Sequence, residues 1–488
     1  MQTLNKKKNL KINIFLNISY QLIIVLVPFF TSPYLSRTLG AEVTGIYSYT
    51  YSIAYYAILF GILGFTHYGN RCIARCRDDA EKLRKTFWTL YYLQLISFSI
   101  SISVYCVALL IVSPANIIIF WIQLVAIIGN MIDVTWFYYG NESFGVVFVR
   151  NLFIKIINLV LIFVLVKGPG DLWIYTLIMG GATFVGQLVT WPYILKNIRP
   201  CKVCFDELKQ HIKPVLILFI PTLATSIFTV MDKIMLGIIS PYTEVGYYDY
   251  SEKIIAIPKA LITALGTAML PRVSNLVSRN DDVQAKKYLK ITMYYVFAFS
   301  SALLFGIAAV SSIFAVIYWG KDYHVCGLLI TILAPSVFFA LIGNVLRTQY
   351  LIPYMKDKQY VAAIIIGAVV NFVGNIFLIR YYGAVGACIS TVLAEFSITF
   401  VHILSARKDL PLLNYFINGF SFILFGAIMF IIIYLIKDNF KVDISSLLIL
   451  ILIGASIYII LCIFYILFSP DSVSKMIRER FKKNVKKV

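Results

Sequence analysis

Apolar residues run through this chain in blocks of about 20, separated by short polar segments. A helix of that length crosses the hydrocarbon of a bilayer. The pattern therefore predicts membrane-spanning helices over residues 12–34, 45–66, 87–112, 117–139, 147–166 and 173–195. A second series follows at 214–238, 253–271, 291–318, 326–350, 360–380 and 384–405, with a last pair at 415–436 and 444–468. The expected fold class is an all-α integral membrane protein of about 14 transmembrane helices. The spans beginning at 147 and 253 carry charges within them, and a count of about twelve is the alternative. The first run is longer than a signal-peptide core and lacks a small-residue cleavage site, so it is expected to be retained.

Composition agrees. With 60% hydrophobic residues and a mean hydropathy of +0.84 over 488 residues, a soluble globular domain is excluded. The net charge of +20 raises nucleic acid as a partner, but its distribution argues otherwise. Roughly thirty Lys and Arg fall at the termini and in alternate loops, against about seven on the other side, which is the positive-inside pattern. Lys6, Lys7, Lys8, Lys11, the loops Arg71–Lys85, Lys196–Lys213 and Arg272–Lys290, and the tail from Lys475 are thus expected to be cytoplasmic. Both termini would face in, and the tail would meet anionic lipid headgroups.

The longest polar segments, near 70–86 and 196–213, span only about 17 residues. They leave no room for a catalytic domain, which argues against a glycosyltransferase or polymerase. No GxxxxGK[ST] motif occurs, so energy is expected from an ion gradient, the membrane potential or the substrate gradient, with no cofactor. Cys72 and Cys76, and Cys201 and Cys204, fall in two cytoplasmic loops; free thiols are expected, a shared zinc site being the alternative.

The chain resembles itself. "LSRTLGAEVTGIYSY" (Leu35 to Tyr49) matches "MDKIMLGIISPYTEVGYYDY" (Met231 to Tyr250), and "NESFGVVFVRNLFIKIINLVLIF" matches "KDKQYVAAIIIGAVVNFVGNIFLI", placing Asn158 near Asn371. The offset, about 200 residues both times, predicts two parallel six-helix repeats with a substrate path between them, plus two further helices. The expected divisions are 1–210, 211–410 and 411–488.

Ionisable residues inside spans are costly and so are candidates for function. Here they are Arg37, Asp133, Arg150, Lys155, Asp232, Lys233, Lys259, Arg347 and Glu395. Cations at matching places in both halves would form a cavity for a phosphate or diphosphate, and Asp133, Asp232 and Glu395 are candidate proton or sodium sites. Arg150 and Lys155 lie about 140° apart around their helix, so they need not share a face. Snorkelling to headgroups is the simpler alternative for several of these cations. Tyr47, Tyr51 and Tyr55 form a stripe that suits either a sugar face or the membrane interface.

The motifs "TSPYLSRTLGAEVTGIYSYTYSI", "GFTHYGNRCIAR", "DVTWFYYGNESF", "VMDKIMLG", "EVGYYDYSEKI", "MLPRVSNL", "QYLIPYMKDKQY" and "YYGAVGACISTVLAE" together resemble the Wzx-type polysaccharide flippases of the MOP superfamily, relatives of MATE exporters and the lipid II flippase. The resemblance covers essentially the whole chain. It implies a two-bundle transporter that moves an undecaprenyl-diphosphate-linked oligosaccharide to the outer leaflet of a bacterial plasma membrane. A polysaccharide polymerase and a chain-length regulator are implied partners. It also implies that Arg37, in the "SRTLG" turn, acts on the diphosphate, and it adds Arg71 and Arg272 near the cytoplasmic mouth. The family's "DxSWFFQGLE" stands here as "DVTWFYYGNE", with Tyr139 and Asn141 at variable places. In that stretch Gly140 is expected to close one helix and Glu142 to start the next segment, the charges gating or guiding an anionic lipid headgroup. A MATE-type multidrug exporter is the competing reading, although cations outnumber acids in these helices; a lipid II-like precursor flippase would change only the substrate.

Overall fold

A computed structural model describes the backbone of residues 27–485 and, apart from five positions between 262 and 268, the side chains of residues 27–479. Lys6, Lys7, Lys8 and Lys11, with much of the first predicted span and the last side chains of the basic tail, lie outside the described residues. Every regular element among the described residues is helical. Among the described residues, eleven helical segments are long and apolar enough to cross a membrane. Helices suit that setting because each satisfies its backbone hydrogen bonds within itself.

The described chain forms two compact units, divided between Gly246 and Tyr247. The first contains α1 (27–38), α2 (Gly40–Ile62), α3 (Phe65–Cys76), α4 (Ala80–Val112), α5 (Ile117–Met131), α6 (Thr135–Gly140), α7 (Phe144–Leu165), α8 (Leu172–Leu188), α9 (Trp191–Asn197), α10 (Phe205–Thr229) and α11 (Met231–Ile239). Here α2 packs on α4 and α5, α5 on α8, and α3 on α6. The helices α10 and α11, which the repeat assigns to the second half, pack on α2, α3 and α4 within this unit. The division falls inside α12 (Tyr242–Ser278), whose first turn crosses α2 at very short range: a Cβ on Gly45 would lie 1.8 Å from the carbonyl oxygen of Tyr242.

The second unit continues with α13 (Asp282–Trp319), α14 (His324–Leu346), a π-helical turn (Arg347–Leu351), α15 (Asp357–Ala406), α16 (Leu412–Ile436), α17 (Ile444–Phe468) and α18 (Ser472–Val485). Helix α13 packs on α14 and α16, α14 on α15, and α16 on α17. At 50 residues, α15 would be about 75 Å long if straight, more than twice the hydrocarbon thickness. It is instead a hairpin that turns at Gly383, where φ is +53° and ψ is −129°. Its arms run antiparallel: Gly367 meets Ile398, Gly374 meets Ser390, and Gly386 meets the backbone of Leu378. These arms are the expected spans 360–380 and 384–405.

Several expected boundaries move. Helices α4 and α13 begin before residues 87 and 291 because Asp79 and Asp281 cap them, accepting from the N–H of Lys82 and Gln284, each at 3.1 Å. Counting apolar runs finds only the part in lipid. The expected helix 117–139 is broken at residues 132–134, and 214–238 is broken at Val230. Lys233 and Asp232 therefore belong to the short α11 rather than to the seventh span itself.

Candidate functional site

The break between α5 and α6 leaves carbonyl groups without helical partners, and side chains supply the donors. Gln94 of α4 donates to the carbonyls of Met131 (3.1 Å) and Asp133 (2.8 Å), while its own oxygen accepts from the Trp136 indole (2.9 Å). Trp191 donates to the carbonyl of Ile132 at 2.9 Å. The Asp133 carboxylate takes the Thr135 N–H at 2.8 Å and the Thr135 hydroxyl, turning the chain into α6. Arg150 reaches the same hydroxyl at 3.5 Å and is otherwise held by Gln187 (2.7 Å) and Asn151 (2.8 Å). Asp133 and Arg150 thus sit at one junction, and the aromatics of this stretch pack with Phe87, Trp88 and Tyr91.

Gly140 closes α6 as expected. Its conformation is ordinary; what requires glycine is Ile73, whose Cβ would lie 2.6 Å from a Cβ at this site. The left-handed residue is Glu142, at φ +57°. Glu142 lies in the turn that leads to α7 at Phe144 and pairs with Arg77 at 2.7 Å.

Helix α11 is placed by close contact: a Cβ on Gly237 would meet the Tyr49 ring at 2.2 Å. One turn earlier on the same face stands Lys233. Asp232 is 1% exposed, and Tyr56 of α2 donates to the Ser226 carbonyl at 3.2 Å. The expected tyrosine stripe is real, with Tyr47 and Tyr51 stacked at 5.9 Å and Tyr47 packed edge-on against Tyr175 at 4.6 Å. The close contact of Gly237 with Tyr49 brings α11, with Lys233, against the helix that carries the tyrosine stripe. Arg37 is exposed in the last turn of α1, whose Tyr34 donates to the Val166 carbonyl at 2.6 Å, fixing α1 against the end of α7.

In the second unit Lys259 of α12 and Glu395 of α15 form an ion pair at 2.8 Å. Arg347 lies in the π turn, donates to Asn344 at 2.7 Å and stands 5.9 Å from the Tyr360 ring centroid. Arg272 hydrogen-bonds to and stacks over Tyr288, at 4.4 Å from its centroid. Arg71, exposed, stands 5.4 Å from the Tyr68 centroid, and Tyr68 meets His211 at 2.7 Å. Lys155 is half-buried on α7, with no hydrogen-bond or ion-pair partner among the described residues. The repeat-matched Asn158 and Asn371 are both buried, one on α7 and one on the first arm of α15.

Residue patterns alone missed Gln94, Gln187 and Thr135, although a lone glutamine in an apolar run is itself a signal of interior polar work. All eight cysteines are free thiols, and no group of three metal-ligating residues gathers among the described residues.

A family model described as "Polysaccharide biosynthesis protein" matches residues 10–277, more than half of the chain. The putative O-antigen transporter of Escherichia coli (strain K12) is 24% identical over 391 residues, covering 79% of this chain and 93% of that protein. The probable low-salt glycan biosynthesis flippase Agl15 of Haloferax volcanii is 24% identical over 172 residues, 35% of this chain and 36% of its own. Among solved structures, the lipid II flippase MurJ in an inward closed conformation superposes with a TM-score of 0.65 at 16% identity, covering 90% of this chain and 98% of that one. An inward-facing MATE family multidrug resistance transporter of the MOP superfamily gives 0.60 at 13% identity, covering 80% and 94%. At such identities these two likenesses speak for the fold. The match to the family model over more than half of its length places the chain in the polysaccharide biosynthesis protein family.

Proposed function

We propose that this protein flips undecaprenyl-diphosphate-linked oligosaccharide repeat units from the inner to the outer leaflet of a bacterial plasma membrane, for capsule, exopolysaccharide or O-antigen synthesis. The observation that carries the reading is the match to an O-antigen transporter over 93% of that protein's length. With both arms of α15, α12 and the expected first span counted, fourteen crossings with both termini inside would complete the topology. Six plus six helices and a final pair would form the repeat.

The mechanism is alternating access through a cationic cavity. Arg37 and Lys233 would receive the diphosphate, with the stacked Tyr47 and Tyr51 of α2 offering ring faces to the sugars. Lys155, Arg347, Arg150, Lys259, Arg71 and Arg272 would guide the anionic headgroup, while the polyprenyl tail stays in lipid. Of the three carboxylates considered for ion coupling, Asp133 already serves Thr135 and Glu395 serves Lys259. Asp232, buried at the start of α11, is the third candidate. A polymerase and a chain-length regulator would act on the exported units.

The test is export of the lipid-linked unit in cells carrying wild type, Arg37→Ala or Lys233→Ala at matched protein levels. Accumulation on the cytoplasmic leaflet in both variants, with partial activity retained by Arg37→Lys, supports the reading. Unchanged export in both would remove these residues from the site.

A further inference from the structure

Two adjoining recesses open in the second unit, one of about 300 Å³ where the start of α16 meets Lys290 of α13 and the start of α18, the other of about 600 Å³ between α16 and the end of α17; they share Ile417, Asn418 and Asp471. Their walls change character along one line. Asn414, Asn418, Ser421 and Phe425 are spaced i, i+4, i+7 and i+11, so they form one stripe down α16. The floor holds Lys290, which donates one of its three hydrogens to the Ser472 hydroxyl at 2.5 Å. The far wall is Phe464, Tyr465 and Phe468 of α17.

The polar stripe is unspent. Asn414, Asn418 and Ser421 have no side-chain hydrogen-bond partner among the described residues, although they stand in a helix otherwise suited to lipid. The carboxylate on the floor, Asp471, is by contrast occupied: it accepts from the N–H groups of Val473 (2.8 Å) and Ser474 (3.0 Å) and from the Ser469 hydroxyl (2.9 Å). Its charge caps α18, and the nearby chain is basic, with Lys286 and Lys287 one turn before Lys290 and with Lys475 and Arg478 on α18. An anion is therefore favoured at the floor. From Asn414 to Phe425 the groove climbs about 16 Å, a length suited to an extended acyl chain.

The geometry points to a glycerophospholipid of the leaflet that the basic segments face. Its phosphodiester sits on Lys290 and Asn414, its ester carbonyls accept from Asn418 and Ser421, and one acyl chain lies along Phe425, Phe464 and Phe468. The order of groups in the groove is the order of groups in such a lipid. A free phosphate would leave the apolar wall empty, and a diacylglycerol would leave Lys290 unanswered. The assignment does not depend on what the chain transports.

Native mass spectrometry of the purified full chain, titrated with phosphatidylglycerol, tests it. One tightly retained lipid is expected, with retention about tenfold weaker in Lys290→Gln and in Asn418→Leu, while both variants elute and melt as wild type. Dioleoylglycerol is expected not to compete. Equal retention in wild type and both variants would reduce the groove to ordinary annular contact. Displacement by equimolar undecaprenyl phosphate would overturn the assignment in favour of a polyprenyl carrier. Should Lys290→Gln not fold, Asn418→Leu and Ser421→Leu carry the same comparison.

Discussion

Removing one partner of the Lys259–Glu395 pair separates a structural cation from a substrate-binding one. At 2.8 Å and an effective dielectric of about 20, the attraction is about 6 kcal/mol, most of it offset by taking two charges out of water. The side chains keep 24% and 16% of their surface exposed, so the net coupling should be about 2 kcal/mol. Lys259→Ala and Glu395→Ala are each expected to lower unfolding stability by about 2–3 kcal/mol, while the double variant loses about 2 kcal/mol less than their sum. A double-mutant cycle on the purified protein measures this directly. Additivity within about 0.5 kcal/mol would refute the pairing. The apolar pair Lys259→Met with Glu395→Leu should restore the fold. Export by that variant then reports whether Lys259 does more than hold α12 to α15.

Gly45→Ala is expected to be poorly tolerated, because the new Cβ would start 1.8 Å from the Tyr242 carbonyl oxygen and the two helices would have to part; melting of the purified variant should fall by several degrees. Asp133→Ala should cost about 1–2 kcal/mol through loss of the cap on the Thr135 N–H, and Asp133→Asn should recover part of it, as denaturant titration would show. Hydrogen bonds from Lys356 and Tyr350 hold the Asp409 carboxyl below its ordinary value. Its contribution to stability is therefore complete above the unfolded value of about 3.9 and is lost as pH falls through the folded one. Unfolding followed from about pH 6 to about pH 3 should show this loss in wild type and not in Asp409→Asn.

Much of the architecture was legible because hydrocarbon imposes one length on every crossing element. The apolar blocks located the spans, and the gap between the last two of the second series marked the turn at Gly383. Breaks within blocks were harder to read. Ile132 and Val134 continue the apolar run across the junction of α5 and α6, so hydropathy passes straight over it; only Asp133 and Thr135, two residues apart, marked the turn. At Val230 neither glycine nor proline announces the end of α10, and the polar pair Asp232 and Lys233 was read as interior when it begins a new helix. Gly140 was identified correctly as a stop, for a steric rather than a conformational reason. Charged residues were easy to find but their partners were not, since Glu395 reaches Lys259 across 136 positions of sequence.

The single-residue reversal at Gly383 also decides where the molecule can be marked. The arms of α15 are already in contact at Gly386 and Leu378, so there is no slack between them for an inserted epitope or reporter domain. An insertion there would pry apart small residues matched along the hairpin, as far as Gly367 and Ile398. Residues 437–443, joining α16 to α17, offer an irregular connection that can lengthen. Orientation at the α15 turn is better read by point labels at Tyr381 or Tyr382, which are 75% and 60% exposed, so that a topology experiment alters one side chain and leaves the hairpin closed.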